Sequence, residues 1–368
     1  MPEHAITNKT KALLALLNTL KSLQYDFKTI SPLSHLRVNT RQDHPRARPD
    51  SAANSASKLQ NLRDVFGWSR GFTEAHVDPS IFTLMQQAKI LRREKSDFYS
   101  TLRVSTYCYT LAQPLQAVET HEKPKEQTDC AKNNSTKEET LFFLHSAYPT
   151  TTHDSVFFGP DTYRYLNLIK QVISQRDQTF TRRMVDIGCG AGPGAILMAL
   201  HFPIAEVIAT DINKAALELT QVNATFAGAQ NLKVMVSDIL NDVDGQFDVI
   251  TANPPFLVDK DLRAYRHGGG ALGAELSFRM LQAAISRLNP GGQFILYTGV
   301  AISDGHDIFK QDVTRYLTDL QILPLTWQTL TWEYMELDPD IFGEELFNDV
   351  YAKADRIAAI SLIVTLSA

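Results

Sequence analysis

The sequence MVDIGCGAGPG, residues 184–194, indicates how the second half of this chain folds. A short apolar stretch leads into four alternating glycines, and residues 195–201 then have the composition of a helix. In an open α/β sheet, ligands bind beyond the carboxyl ends of the strands, where glycines let the backbone approach a ligand closely. The stretch therefore predicts a strand, a ligand-binding turn and a helix, in that order.

Short apolar strands recur after this turn, and each ends at a polar residue. Strands are predicted at 205–210, 232–236 and 247–252, with helices between them, as at 214–226. Alternation of strands and helices at this spacing predicts βαβ units and a parallel sheet, which defines an α/β fold class. Residues 293–302, introduced by a turn at 289–292, and the β-branched stretch 357–366 are expected to add further strands.

Residues 1–150 have a different pattern and are predicted to form an N-terminal, mainly helical α+β accessory domain. Helices are expected within 1–28, 58–70 and 78–94, strands at 98–111 and 140–147, and polar loops at 41–57 and 119–139. Helices followed by two strands can form a winged-helix-like unit for substrate recognition. Its second helix and wing would then carry Arg92, Arg93, Lys95 and Arg103. The alternative, which we favour, is a small domain whose basic residues are merely solvated.

The composition excludes several classes of protein. Of 368 residues, 44% are hydrophobic and 21% are charged, which excludes a disordered, collagen-like or coiled-coil chain. Three cysteines without C-x-x-C spacing exclude a disulfide scaffold and a cysteine-only zinc site. The histidines form no ligand-spaced cluster, so no metal is expected. No apolar run approaches the length of a membrane span, and we expect a cytoplasmic protein.

The net charge of −5 is unevenly distributed along the chain. Residues 1–154 carry 20 Lys and Arg against 16 Asp and Glu, whereas residues 155–368 carry 16 against 25. This asymmetry is consistent with two units of different function. The basic excess of the first unit is too small to indicate nucleic-acid binding by itself.

Two acidic residues follow the two strands after the glycine turn. Asp211 lies 21 residues after Gly190, where a carboxylate can accept hydrogen bonds from ribose hydroxyls. Asp238 ends the next strand and can accept a hydrogen bond from an adenine amino group. Because Gly190, Gly192 and Ala195 also satisfy the dinucleotide pattern G-x-G-x-x-A, a nicotinamide-dependent enzyme remains open at this point.

The sequence Asn253-Pro254-Pro255-Phe256 follows the fourth strand, at the same edge of the predicted sheet. The ordered set DIGCGAGPG (186–194), TDIN (210–213), SDI (237–239) and NPPF (253–256) resembles the class I S-adenosylmethionine-dependent N-methyltransferases, in the methyltransferase-small and HemK-type glutamine N5-methyltransferase-like group. The resemblance covers residues 155–368. It implies a Rossmann-like, seven-stranded, mostly parallel sheet with helices on both faces, in a domain at 151–368.

The resemblance implies a chemistry that these residue types suit. An amide or aromatic amine nitrogen is a poor nucleophile, because its lone pair is delocalised, so the protein must align it. The Asn253 side-chain oxygen and the Pro254 carbonyl can each accept an N–H from the substrate. Proline fixes φ and lacks an N–H, which keeps that carbonyl rigid. Phe256 can stack on the planar group, so Asn253, Pro254, Pro255 and Phe256 are the expected catalytic residues.

Two further segments resemble parts of the HemK-type enzymes. VFFGPDT (156–162) resembles the segment that leads into their catalytic core, and the glycine-rich stretch 265–277 occupies the place of a substrate-side loop that here contains His267. S-adenosyl-L-methionine is the implied cofactor, with S-adenosyl-L-homocysteine as product. The residues expected to contact it are Asp186, Gly188, Gly190, Gly192, Asp211, Ile212, Asp238, Ile239, Asn253, Phe158 and Thr162.

The methyl acceptor is left open by the resemblance. Phe256 stands where the glutamine-modifying enzymes usually have Tyr, and NPPF is similar to ribosomal RNA guanine-N2 methyltransferases. We therefore expect a methyltransferase that acts on a planar NH₂ nitrogen of a macromolecule, either a release-factor-like protein glutamine or the exocyclic amine of an RNA base. The N-terminal domain would then contact RNA or the ribosome.

Two other functions remain as alternatives, and the role of one segment is open. The alternatives are an NAD-dependent oxidoreductase and a non-catalytic RNA- or ribosome-binding module with a vestigial cofactor fold. The segment Trp327–Glu336, before the last strand, is expected either to cover the active site or to pack at the sheet edge.

Overall fold

The computed structural model describes residues 7–41, 55–110, 138–263, 265–322 and 329–367. None of the helices in these ranges is long and apolar enough to span a lipid bilayer. Within these ranges, the first half contains four α-helices, a hairpin and an antiparallel pair of strands. They are α1 (Asn8–Ser22), α2 (Pro32–Thr40), α3 (Ser55–Phe66), α4 (Pro79–Gln87), β1 (Leu91–Glu94), β2 (Asp97–Ser100), β3 (Leu102–Thr110) and β4 (Glu138–Ser146).

The second half is built on one central sheet. Its elements are α5 (Pro160–Ile173), β5 (Arg183–Ile187), α6 (Pro193–His201), β6 (Glu206–Asp211), α7 (Lys214–Ala227), β7 (Leu232–Val236), β8 (Phe247–Ala252), α8 (Glu275–Ile285), β9 (Leu288–Ser303), β10 (His306–Asp307), α9 (Ile308–Ile322), β11 (Leu330–Asp338) and β12 (Arg356–Leu366). The strand order is β11-β12-β9-β8-β5-β6-β7, and the two-residue β10 pairs with β9. Strands β5 to β9 are parallel, whereas β11 and β12 are antiparallel.

Helices cover both faces of this sheet, which confirms the predicted α/β class. Residues of α5, α6 and α7 pack in a core on one face, and residues of α8 and α9 pack in a core on the other. Strands buried on both faces need apolar side chains at almost every position, which explains the near-continuous apolar runs of β5, β8 and β9. The carboxyl ends of the parallel strands form one edge of the sheet.

Some helices and strands of the first half differ in their bounds from the sequence prediction. The helix predicted to reach residue 94 ends at Gln87, because Lys89 takes a left-handed conformation with φ of 57° and the chain turns into β1. Arg92 and Arg93 therefore lie on a strand, each with its guanidinium over an aromatic ring of β2. Arg103 is only 4% exposed, so the expectation that this basic residue is solvated is wrong.

The strand predicted at 293–302 is longer than expected. It begins at Leu288, and the predicted turn 289–292 lies inside it, where the pairing register with β8 shifts. Most of the loops predicted at 41–57 and 119–139 lie outside the described residues. The predicted domain boundary at residues 150 and 151 falls in the connection between β4 and α5 and stays a prediction.

One buried amide joins the first half of the chain to the glycine turn. Asn223 of α7 is fully buried, and its Oδ1 accepts a hydrogen bond from the Leu144 N–H of β4 at 2.9 Å. Its Nδ2 donates to the carbonyls of Leu144 (3.1 Å) and Ala191 (2.9 Å). Residues from both halves also share one hydrophobic core. The strand pair β3–β4 is therefore attached directly to the helix behind the turn.

Replacement of Asn223 by Ala leaves three buried backbone groups without partners. We expect the free energy of unfolding to fall by about 2–4 kcal/mol. Each unsatisfied buried group costs about 1–3 kcal/mol, and relaxation of the surrounding structure offsets part of the total. Urea denaturation measures this loss. The matched control is Gln221→Ala on the exposed face of the same helix, which should change stability little. Equal losses in the two variants would contradict the bridging role.

Candidate active site

A cleft of about 450 Å³ lies at the carboxyl ends of β5, β6 and β8. Most of the residues predicted from the sequence line this one cleft. They are Thr162, Asp186, Gly188, Gly190, Asp211, Ile212, Asp238, Ile239, Asn253, Pro254, Pro255 and Phe256. Parallel strands bring all of them except Thr162 together, because each of these segments ends or directly follows a strand at the same sheet edge, whereas Thr162 lies on α5.

Two predicted residues do not line the cleft. The Phe158 ring is buried and stacks on the rings of Phe143 and His145, with centroids 5.4 and 5.2 Å apart. Its neighbour Phe157 lines the cleft in its place. Gly192 directly precedes α6 with φ of +82°, and a Cβ there would lie 2.6 Å from Cγ2 of Thr220. Gly192 therefore permits the turn and its packing on α7.

The Asp186 carboxylate organises the glycine turn from inside. It is 1% exposed and accepts hydrogen bonds from Tyr165 Oη (2.5 Å), Thr251 Oγ1 (2.9 Å) and the Ala195 N–H (3.0 Å). Burial raises the pKa of this carboxyl to about 6, and the three donors oppose the rise. One side chain thus joins α5, β8 and the first turn of α6 to the end of β5.

Asp211 holds the other side of the same turn. Its Oδ2 accepts from the Gly190 N–H at 2.9 Å, and its Oδ1 accepts from the Asn213 N–H at 2.8 Å. Burial raises the pKa of its carboxyl. A carboxylate offers about four acceptor positions, so Asp211 retains acceptor capacity for a ligand. Asp238 is half-exposed, and its Oδ2 lies 3.3 Å from Arg279 Nη2.

The Asn253–Phe256 corner is polar at one end and tightly packed at the other. Neither the Asn253 side chain nor the Pro254 carbonyl has a hydrogen-bond partner among the described residues. The Phe256 ring is 8% exposed, lies against the Cα of Gly299 and meets the Phe342 ring edge-on, with centroids 5.7 Å apart. The corner therefore presents two acceptors at Asn253 and Pro254, while packing holds its other end, Phe256, in place.

The glycine-rich stretch predicted as a substrate-side loop packs directly on this corner. The Gly268 N–H donates to the Leu257 carbonyl at 2.8 Å, and a Cβ on Gly268 would overlap the Pro255 carbonyl oxygen. Gly273 has φ of +89°, and a Cβ there would overlap the Phe256 carbonyl oxygen. Only glycines fit at these contacts.

The structure adds cleft residues that the sequence reasoning missed. Asp161 is buried in the cleft wall, where it accepts a hydrogen bond from Tyr297 Oη at 2.6 Å and where burial raises its carboxyl pKa. Its position beside Thr162 was the available signal. Phe342 also lines the cleft and has a left-handed backbone with φ of 53°. Nothing local in the sequence indicates that contact.

Two open assignments can be placed. His267 lines the cleft, and its Nδ1 accepts a hydrogen bond from the Asp259 N–H at 3.2 Å. Trp332, Tyr334 and Glu336 lie on β11, the edge strand of the sheet, so this part of the 327–336 segment packs at the sheet edge. Trp327 lies outside the described residues.

Comparison with known proteins gives this region a family. Residues 167–303 match the family model described as "Methyltransferase small domain". Residues 167–303 belong to that family. The match confirms the resemblance stated from the sequence motifs, and this methyltransferase domain contains the glycine turn and the NPPF corner.

Named relatives match parts of the chain. The release factor glutamine methyltransferase of Koribacter versatilis is 31% identical over 173 residues, covering 43% of this chain and 61% of that protein. The ribosomal RNA small subunit methyltransferase C of Erwinia tasmaniensis is 32% identical over 112 residues, covering 30% and 29%. The ribosomal protein uL3 glutamine methyltransferase of Bordetella pertussis is 35% identical over 136 residues, covering 34% and 46%. The chain thus spans less than two thirds of the length of these relatives.

A methyl group added at Gly273 should displace the corner. We expect Gly273→Ala to lower the free energy of unfolding by about 3 kcal/mol or more, since it combines a left-handed backbone penalty of about 1–2 kcal/mol with steric overlap. Urea denaturation measures the loss. Gly228→Ala is the matched control, because Gly228 has φ of +79° but open space around its Cβ position. If both variants lose the same stability, the Gly273 contact does not constrain the corner.

Proposed function

We propose that this chain is an S-adenosylmethionine-dependent methyltransferase that methylates a planar NH₂ nitrogen of a macromolecule. The observation that carries the proposal is a pair of acceptors, the Asn253 side-chain oxygen and the Pro254 carbonyl, that no described residue engages. They lie in the same cleft as Asp211 and Asp238. An NH₂ group has two N–H donors, which match two fixed acceptors. The methyltransferase small domain at 167–303 supports the same chemistry.

The cleft fits the cofactor in size and in chemistry. Its volume of about 450 Å³ lies in the usual range for small-molecule sites, roughly 300–1,000 Å³. Asp211 would hold the ribose hydroxyls with its remaining acceptor positions, and Asp238 would accept from the adenine amino group. Ile212, which is 59% exposed, and Ile239 would flank the adenine ring. When bound, the cofactor supplies a methyl group on an activated sulfonium.

The residues of the chain itself would align the acceptor nitrogen. When Asn253 Oδ1 and the Pro254 carbonyl accept both N–H groups, they fix the plane of the NH₂ group. The direction of the nitrogen lone pair is then fixed as well. The same two oxygens favour the positive charge that develops on nitrogen during transfer. Because Pro255 restricts the backbone and the glycines of 268–273 pack behind it, this geometry is set before substrate binds.

Among macromolecules, we propose a protein glutamine as the acceptor. Between residues 330 and 352, the chain that contributes Phe342 to the cleft has no Lys or Arg. Its seven acidic residues are Glu333, Glu336, Asp338, Asp340, Glu344, Glu345 and Asp349. Three of them pair with arginines. Such an acidic surface repels RNA phosphates and tolerates a neutral amide. Two of the three relatives above are named glutamine methyltransferases, which supports the same acceptor.

Asn253→Ala tests the alignment role. We expect methyl transfer to fall by at least about 100-fold, because one of the two acceptors is lost, while S-adenosylhomocysteine affinity stays within several-fold. The assay is tritiated-methyl transfer into a lysate that lacks this protein, combined with calorimetric titration. Asn18→Ala, on the exposed face of α1, is the control and should keep full transfer.

The same assay identifies the acceptor and the cofactor. Label in the protein fraction supports the glutamine proposal, and label in the RNA fraction would replace it with an RNA base. Calorimetry that detects NADH binding and no S-adenosylhomocysteine binding would support the oxidoreductase alternative. Unchanged turnover in Asn253→Ala would refute the alignment role.

A further inference from the structure

A second, much smaller cavity lies where the first half of the chain meets the segment that leads into the cleft. It has a volume of about 20 Å³ and is lined by residues from the start of α2, from β3 and β4 and from residues 146–158. Arg103 lines this cavity and is 4% exposed. A charged residue this deeply buried normally has an ionic partner.

Arg103 has no such partner in the part of the chain that is described. Its Nε and Nη2 form no hydrogen bond there, and none of the residues that line the cavity is acidic. These two nitrogens lie on the same edge of the planar guanidinium, the edge that holds an anion with two parallel N–H groups. The Arg103 guanidinium lies over the Phe27 ring, with its Cζ 5.6 Å from the ring centroid.

A third buried nitrogen without a hydrogen-bond partner among the described residues belongs to His35, which also lines this cavity. The amide of Asn39 is oriented by Arg70, whose Nε donates to Asn39 Oδ1 at 3.0 Å. Asn39 Nδ2 lies 2.9 Å from His35 Nε2, and in the tautomer whose Nε2 accepts this bond the His35 proton is on Nδ1. That Nδ1 is buried and has no hydrogen-bond partner among the described residues.

Among the described residues, the protonation states leave one positive charge without a counter-charge. Burial lowers the pKa of Arg103 to about 10, so the guanidinium stays charged at neutral pH. Burial and the charge of Arg103 lower the pKa of His35 to about 4 and hold that of His145 well below its usual range. Both imidazoles are therefore neutral, and the cluster presents donors around one cation.

We propose that this cavity is a binding site for a single small monovalent anion of chloride size. Two N–H donors of Arg103, a third from His35 in its Nδ1–H tautomer and one buried positive charge suit an anion, whereas a water molecule would satisfy donors and leave the charge uncompensated. A cavity of about 20 Å³ admits one particle of this size and excludes sulfate or phosphate. The bound anion links α2, β3 and the 146–158 segment, which also supplies Phe157 to the cleft.

Thermal unfolding of the full chain in exchanged salts tests the site. Sodium gluconate is replaced stepwise by sodium chloride or sodium bromide at constant ionic strength. We expect Tm to rise by about 2 °C once the halide reaches about ten times its dissociation constant, as for any ligand of the native state. Arg103→Gln should abolish this rise, while Arg92→Gln, an exposed arginine on β1, should retain it.

Crystals grown in sodium bromide give a second readout that needs no variant. The proposal expects an anomalous bromide peak within hydrogen-bond distance of Arg103 Nε and Nη2 and of His35 Nδ1. It is overturned if the wild-type Tm is the same in gluconate and in halide, if Arg103→Gln keeps the halide dependence, or if that position shows only water.

Discussion

Close backbone packing behind the NPPF corner is the constraint on which the proposed chemistry depends. The carbonyls of Pro255 and Phe256 lie so near Gly268 and Gly273 that no side chain fits between them, and the Phe256 ring covers Gly299. If this loop were mobile, part of the free energy of substrate binding would be used to order it. Here the glycines let two segments touch along their backbones, so the acceptors of Asn253 and Pro254 are held by packing.

The same principle joins the corner to the rest of the molecule. Asp186 accepts hydrogen bonds from three elements beneath the glycine turn. Asn223 hydrogen-bonds the backbone of Leu144 on β4, as a neighbouring strand would, and also the carbonyl of Ala191 in the turn. The first half of the chain is thus bonded to the turn that lines the cleft. Apolar residues of α1, β4 and α7 also share one core.

The parallel sheet and most of the cleft were predictable because strand, glycine turn and terminal acid are local patterns. Each motif follows a strand, and parallel strands end at one edge, so sequence order alone brings Asp211, Asp238 and Asn253 together. Phe158 was misplaced by one position, since an extended segment alternates its side chains between cleft and core. Phe342 and the burial of Arg103 depend on contacts between distant segments, which no local pattern encodes.

A crystal structure of the chain with S-adenosylhomocysteine tests the central claim most directly. The account predicts the ribose hydroxyls on the Asp211 carboxylate and the product sulfur beside the Asn253 amide and the Pro254 carbonyl, with the 253–256 backbone unchanged from the free protein. A ligand bound elsewhere, or a corner that turns away from the sulfur when the ligand binds, would contradict it.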